Sequence, residues 1–249
     1  MYRARLVATP THTDNARDLQ QQLLAYHQFR ARKRDHPQAR ALDALTRWQR
    51  HRLTHTHADL YRDPQYHAGL DFLLSDLYAP TGMSARDDHI DRVFPKLVKW
   101  LPDPLLGTLA RLVELNLLTQ QLDLRLSVTL AELGYQLSSL SPHQYCTAFN
   151  AMGDMPARRH QLALVMTSGQ QLDRYVRNRT LGWMLSVTRK PAQRADLGEL
   201  HAFLQRGYLA FRGMAEVDQL IMRLTSREQR ILEQITSGHP DPFQIPPEQ

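Results

Sequence analysis

Cysteine and long apolar runs are nearly absent from this chain, and both absences restrict its class. The 249 residues include one cysteine, Cys146, which excludes a disulfide within the chain and fits a reducing compartment. No apolar run approaches the roughly 18 residues that a membrane span requires, and the first residues lack the apolar core of a signal peptide. We therefore expect a cytoplasmic protein without a membrane span.

Strand patterns and the common catalytic motifs are also scarce. The sequence contains no Gly-rich phosphate loop, no G-x-S-x-G, no C-x-x-C and no H-E-x-x-H motif. Apolar residues recur instead at helical spacing along most of the chain. The pattern predicts an all-α protein, a multi-helix bundle of about eight helices. The bundle forms either one domain or two closely packed helical lobes with a seam near Ser141.

Charge and proline content divide the chain into three predicted regions. Lysine and arginine outnumber aspartate by 11 to 4 in residues 1–52. We expect residues 1–62 to form a basic N-terminal helical pair packed on the body. Residues 63–238 are predicted to form the helical core, and the proline-rich residues 239–249 a C-terminal tail.

A basic cluster ends the first predicted helix and is a candidate anion-binding site. It consists of Arg30, Arg32, Lys33 and Arg34. Such a cluster could bind nucleic acid or another anionic surface. Basic residues at a helix C-terminus also complement the helix dipole, which explains the cluster without any ligand.

Four histidines between residues 51 and 67 raise the question of a metal site. These are His51, His55, His57 and His67. His55 with Asp59 and His67 with Asp71 are pairs spaced i, i+4 on one helix face. A metal site needs three or more converging ligands, and each pair supplies only two. We expect these histidines to be exposed, and we predict neither a metal nor a cofactor.

Two carboxylates fall within the longest apolar helix, which is predicted over residues 105–133. Glu114 lies in a stretch that is apolar almost all round, and Asp123 is in register with leucines at helical spacing. A buried carboxylate is costly unless it is paired, so each requires a partner. The predicted partners are Arg159 and Tyr78.

Residues 66–102 are predicted to form a helix, a tight polar loop and a second helix. The first helix carries one apolar stripe formed by Leu70, Leu73, Leu74, Leu77 and Tyr78. Asp76 lies on the flank of that stripe. Ser84 and Asp87 are predicted to form a capping box that begins the second helix. The helical spacing places Asp87 at the edge of the apolar face of that helix.

The motifs of this segment are Phe72-Leu73-Leu74-Ser75-Asp76-Leu77-Tyr78, Arg86-Asp87, Ile90-Asp91-Arg92-Val93 with Pro95, and Leu101-Pro102. Together they resemble the signature of the bacterial FFLEELY motif proteins. The resemblance continues through Glu114, Leu122-Asp123, Arg158-Arg159-x-Gln161 and Arg227-Glu228. Ser75 stands where the motif of that family has an acid. The family has no assigned activity, so the resemblance implies kinship and fold rather than a reaction.

Three hypotheses about function remain open. The first is a non-enzymatic binding or scaffold protein, for an unknown protein or small-molecule partner, with a polar centre formed by Asp76, Tyr78, Asp87, Glu114, Asp123 and Arg159. The second is a carboxylate-lined oxidase, for instance of the di-iron type, although the Glu-x-x-His pair of such sites does not occur in the sequence. The third is binding of nucleic acid or an anionic surface by the basic N-terminal helices. We favour the first.

Overall fold

The fold is all-α, as the sequence predicts. The computed structural model describes residues 2–77, 94–194 and 198–244, and these residues contain no β-strand. The helices are α1 (Tyr2–Ala8), α2 (Asp14–Arg34), α3 (Ala39–Thr56), α4 (Ala58–Arg62), α5 (Pro64–Phe72), α6 (94–100), α7 (Asp103–Glu132), α8 (Pro142–Met152), α9 (Met155–Arg177), α10 (Arg179–Val187), α11 (Arg189–Arg194), α12 (Gly198–Arg212) and α13 (Val217–Thr236). A π-helical turn, Leu73–Leu77, extends α5.

Local sequence signals set several helix ends. The Thr13 side chain accepts a hydrogen bond from the backbone N–H of Ala16 at 3.2 Å and so begins α2. Ser141 and Gln144 form a reciprocal capping box, with hydrogen bonds of 3.2 and 3.0 Å, which begins α8. Gly134 has φ of 72° beyond the end of α7, a left-handed conformation that favours glycine.

Short breaks separate two pairs of consecutive helices. The chain breaks at His57 between α3 and α4, and again between α12 and α13. Met214 lies within the second break and Val217 directly follows it, and both are buried in one core with residues of α5. The chain turns there because both side chains enter the same core. The sequence also did not predict α1.

Helix α7 lies at the centre of the fold. It packs against α2, α3, α8 and α9. Leu106 and Leu109 are buried with α1, α2 and α6 at one end, and Leu126 and Leu130 are buried with α3, α8 and α13 at the other. Although α7 has 30 residues, neither it nor any other helix in the described ranges is apolar enough over sufficient length to cross a membrane.

Helices α9 and α13 cross at Gly169. A Cβ atom at this position would lie 2.5 Å from both Cγ atoms of Ile221, closer than real side chains approach. A third core forms beside this crossing, with Leu70 and Phe72 of α5 against Phe211 of α12. The absence of a side chain at Gly169 therefore brings α13 close enough to α9 to complete this core.

Candidate ligand-binding cavity

A large cavity lies between α7 and the helices around it. Its volume is about 1160 Å³, slightly above the range of about 300–1,000 Å³ that is typical of small-molecule sites. Most of its lining is apolar, and this part includes Phe72, Leu74, Leu112, Val165, Leu172 and Leu204. The cavity therefore has room for a ligand with a long apolar portion.

The C-terminal half of α2 forms the mouth of the cavity. Ala31 and Arg34 line the cavity and are exposed, so it opens to solvent there. The guanidinium of Arg30 lies 5.9 Å from the centre of the Tyr26 ring. Lys33 donates a hydrogen bond of 3.0 Å to Oε1 of Gln120 on α7. Three of the predicted anion-binding residues thus line the mouth, whereas Arg32 is not part of this lining.

A buried polar network joins α3, α7 and α8 at the cavity wall. Nε2 of Gln49 donates to Oδ1 of Asp123 at 3.1 Å and to Oη of Tyr145 at 3.4 Å. All three side chains are buried. Burial raises the pKa of the Tyr145 hydroxyl, which therefore stays neutral. The amide of Gln49 gives Asp123 the buried partner that a carboxylate needs.

Arg158 of α9 lies in the cavity wall with only 6% of its surface exposed. Its guanidinium is 5.0 Å from the centre of the Phe149 ring. Nη1 donates a hydrogen bond of 3.3 Å to Oε1 of Gln161, whose Nε2 in turn donates to Oγ1 of Thr119 at 2.6 Å. Nε and Nη2 of Arg158 meet no acceptor among the described residues.

An ionic cluster on α13 and α3 forms another part of the wall. Oε1 of Glu228 lies 2.5 Å from Nη1 of Arg52 and 2.9 Å from Nε2 of His57. Burial alone would raise the pKa of Glu228, but Arg52 and His57 outweigh that effect and lower it to about 2. Glu228 is therefore a carboxylate at any physiological pH.

The preceding residue on α13 forms a second ion pair with the N-terminal helices. Arg227 donates to both carboxylate oxygens of Asp59 on α4, at 2.7 and 2.8 Å. This bidentate hydrogen bond lowers the pKa of Asp59 to about 2. Adjacent residues of α13 thus attach it to α3 and to α4.

The structure separates residues that the sequence analysis places in one polar centre. Asp123 lines the cavity, but Glu114 does not; its side chain is partly exposed and lies 2.8 Å from Nε2 of His160. Arg159 is exposed, and the buried arginine is its neighbour Arg158. The prediction that Glu114 and Arg159 belong to the polar centre is therefore wrong. Both lie at the surface, because α7 and α9 are rotated so that these two positions point away from the cavity.

The remaining predicted members of the centre are the side chains of Asp76, Tyr78 and Asp87, which lie outside the described residues. The expectation that the histidines are exposed is wrong for His57, which is 4% exposed. Sequence reasoning also missed Gln49, Arg52, Arg158 and Glu228. The sequence does single out Arg158 and Glu228 in one respect. They belong to Arg158-Arg159 and Arg227-Glu228, two motifs in which the chain resembles the FFLEELY motif proteins.

Neither a clustered metal site nor a reactive thiol is found in the described ranges. No three His, Cys, Asp or Glu side chains within them converge as metal ligands. Burial raises the pKa of Cys146 to about 11, so its thiol is protonated near neutral pH.

Comparison with known families places the chain in one family. The model of a domain of unknown function, DUF8198, matches residues 28–242, which run from α2 to beyond the end of α13. The chain belongs to the DUF8198 family. No curated protein and no solved structure matches it. The matched part of this DUF8198 protein includes Arg158, Glu228 and nearly all of the cavity lining.

Proposed function

We propose that this protein is a non-enzymatic binding protein that takes an elongated, mostly apolar small molecule into the cavity around α7. The observation that carries the proposal is the cavity itself, about 1160 Å³ of mainly apolar space with a mouth at α2. Protein interiors normally have few voids larger than a water molecule, and empty apolar space of this size destabilises a fold. An apolar occupant would recover the contacts that the empty lining lacks.

Two titratable groups of the wall, Glu228 and Tyr145, favour a structural role over acid–base catalysis. A general base or acid works best when its pKa lies near the operating pH. The pKa of Glu228 is lowered to about 2, and burial moves the pKa of Tyr145 upward, away from neutrality. Glu228 pairs with Arg52 and His57 as a carboxylate, and Tyr145 accepts a hydrogen bond from Gln49 as a neutral hydroxyl. These are the protonation states that the two pKa shifts favour.

Features of the sequence agree with this proposal. Leu73 and Leu74 belong to the segment that resembles the FFLEELY motif proteins, and both line the cavity from the π-helical turn. Such turns often occur at functional sites. We infer that the chain is related to those proteins and that the related region includes this wall of the cavity. We also infer that the protein acts in the cytoplasm. Arg30 and Lys33 contact neighbouring side chains at the mouth, which favours attraction of a small ligand over a nucleic-acid surface.

A neutral fluorescent probe tests the proposal. N-phenyl-1-naphthylamine becomes fluorescent in apolar surroundings, and we expect saturable binding to the purified full-length protein. Leu112→Trp places a large ring in the cavity and should abolish binding. Met222→Trp adds the same ring at an exposed position of α13 and should leave binding unchanged. Circular dichroism and thermal unfolding verify that both variants fold.

Two results would contradict the proposal. The first is a lack of saturable binding by the wild-type protein. The second is binding that persists in folded Leu112→Trp with the affinity of the wild type, because the probe would then bind elsewhere. Mass spectrometry of an organic extract of the purified protein gives an independent check, since a retained apolar compound is expected.

A further inference from the structure

We infer that the exposed side of α10 and α11 is a docking surface for the anionic face of a lipid bilayer. The inference goes beyond the proposed function and does not depend on what occupies the cavity. It follows from a tryptophan and a valine that are exposed on the same side of this helical segment as two basic residues.

Helices α10 and α11 have one buried side and one exposed side. Leu185 and Ala192, seven positions apart, are both buried. The backbone N–H of Ala192 donates to the carbonyl of Thr188 at 2.8 Å, so the helical hydrogen-bond pattern crosses the short break between the two helices. At about 100° per residue, the side opposite Leu185 and Ala192 carries four exposed residues. These are Trp183, Val187, Lys190 and Arg194.

Two large apolar side chains on this side are left in water. Trp183 is 66% exposed, the largest exposed fraction of any large hydrophobic side chain in the described ranges, and Val187 is 50% exposed. Burial of such side chains is favourable in free energy. Tryptophan is enriched where lipid meets water, because its ring is apolar and its N–H is polar.

The segment around these side chains is strongly basic. Residues 174–195 contain six arginine and lysine residues and no aspartate or glutamate. Residues 174–212, which extend to the end of α12, contain eight basic residues and two acidic ones, Asp196 and Glu199. This excess of six equals the formal net charge of the whole chain, +6. Clusters of basic residues are attracted to anionic lipids.

The combination of apolar and basic side chains favours a bilayer over nucleic acid. The phosphates of a DNA duplex would attract Lys190 and Arg194 but leave Trp183 and Val187 in water. A bilayer offers anionic head groups to the basic side chains and apolar acyl chains to the other two. A helix that lies in this interface buries its apolar side about 5–10 Å into the boundary between head groups and acyl chains.

Sedimentation of the full-length protein with lipid vesicles tests the inference. One set of vesicles contains equimolar phosphatidylcholine and phosphatidylglycerol, and the other contains phosphatidylcholine alone. We expect tighter binding to the anionic vesicles, and a loss of that preference at about 1 M salt, where the Debye length is about 3 Å. Tryptophan emission should shift to shorter wavelength on binding, because Trp183 enters apolar surroundings.

Charge reversal at two positions assigns the binding to α11. Lys190→Glu combined with Arg194→Glu should weaken binding to anionic vesicles by about thirtyfold or more, because each basic residue near such a surface contributes about fivefold. Arg40→Glu combined with Arg47→Glu is the matched control. It reverses two exposed arginines of α3, seven positions apart, and should weaken binding far less.

Replacement of tryptophans tests the apolar part of the surface. Trp183→Ser should weaken binding by about tenfold, since the exposed ring is lost, and should abolish the shift in emission. Trp100→Ser is the control, because Trp100 of α6 is also exposed, at 55%. It should bind as the wild type and keep the shift. Circular dichroism verifies that all four variants fold.

Three results would overturn the inference. The first is a lack of binding to anionic vesicles at low salt. The second is binding that the Arg40 and Arg47 variant loses and the Lys190 and Arg194 variant keeps, because the membrane would then contact α3. The third is binding of a fluorescein-labelled DNA duplex that charge reversal at Lys190 and Arg194 abolishes, without any binding to vesicles; the surface would then belong to nucleic acid.

Binding of N-phenyl-1-naphthylamine without vesicles separates this inference from the proposed function. None of the substituted side chains lines the cavity, so all four variants should bind the probe as the wild type does. Vesicle binding by a protein that does not bind the probe would refute the proposed function alone. Probe binding by a protein that does not bind vesicles would refute the docking surface alone.

Discussion

Replacing Glu228 by glutamine should destabilise this protein in a way that depends on pH. The substitution keeps the size of the side chain but removes the charge that pairs with Arg52 and His57. Both partners lie at a buried part of the cavity wall, so water cannot readily replace the carboxylate. We expect the variant to fold, with a lower free energy of unfolding near neutral pH.

The lowered pKa of Glu228 gives the magnitude. A shift from 4.5 to about 2 corresponds to about 3 kcal/mol, since one pKa unit is equivalent to about 1.4 kcal/mol. Because the folded-state pKa lies below the unfolded one, this stability is present above the unfolded pKa and is lost as pH falls toward the folded pKa. The contribution should be about 3 kcal/mol at about pH 7 and about half of that at about pH 3.

Urea unfolding followed by circular dichroism measures this difference. Wild type and Glu228→Gln are compared between about pH 7 and about pH 3, where the carboxyl titrates in the unfolded chain. Glu114→Gln is the matched control, because Glu114 also contacts a histidine but at a partly exposed position. Its effect should stay below about 1 kcal/mol, as for other surface pairs.

A difference between wild type and Glu228→Gln that stays constant over this pH range would refute the reasoning, because glutamine cannot titrate. So would an effect no larger than that of Glu114→Gln. Either result would mean that the contacts with Arg52 and His57 do not favour the carboxylate in the folded state.

Three further predictions concern other parts of the fold. Gly169→Ala should lower the free energy of unfolding by about 1–3 kcal/mol, because the new Cβ would meet Ile221 and overpack the crossing; an unchanged midpoint in urea would contradict this. Asp59→Asn should cost about 1–2 kcal/mol in the same assay by removing the bidentate partner of Arg227, and no measurable loss would count against that pair. Iodoacetamide should modify Cys146 about a hundredfold more slowly than free cysteine, because burial raises the thiol pKa to about 11. Mass spectrometry measures the rate. Labelling as fast as that of free cysteine would show that the thiol is not protected.

Helices and several of their ends could be predicted from local patterns. The capping box at Ser141, the N-cap at Thr13 and the glycine at the end of α7 all act within one turn of the chain. Such signals do not depend on what the helix later packs against. The break between α12 and α13 could not be predicted in this way, because the burial of Met214 and Val217 in one core with α5 depends on tertiary packing.

The candidate site shows the same division between local and distant causes. Asp123 could be identified among leucines, because a carboxylate in an apolar stripe departs from the helical pattern. Arg158 and Arg159 are adjacent and chemically identical, and Arg159, the predicted buried partner, is the exposed one of the two. Only the rotation of α9 against α7 and α8 buries Arg158 beside Phe149 and leaves Arg159 in solvent.

The amino-acid sequence alone was enough to establish the helical class, because apolar spacing and caps act over a few residues. The cavity has no counterpart in any local pattern, since its walls come from helices far apart in the chain. How deeply Arg158, Glu228 and Gln49 are buried depends on how those helices pack, and packing is a property of the whole chain. The same packing joins Arg52 to Glu228 across 176 positions and leaves Arg158 at the wall of an apolar space.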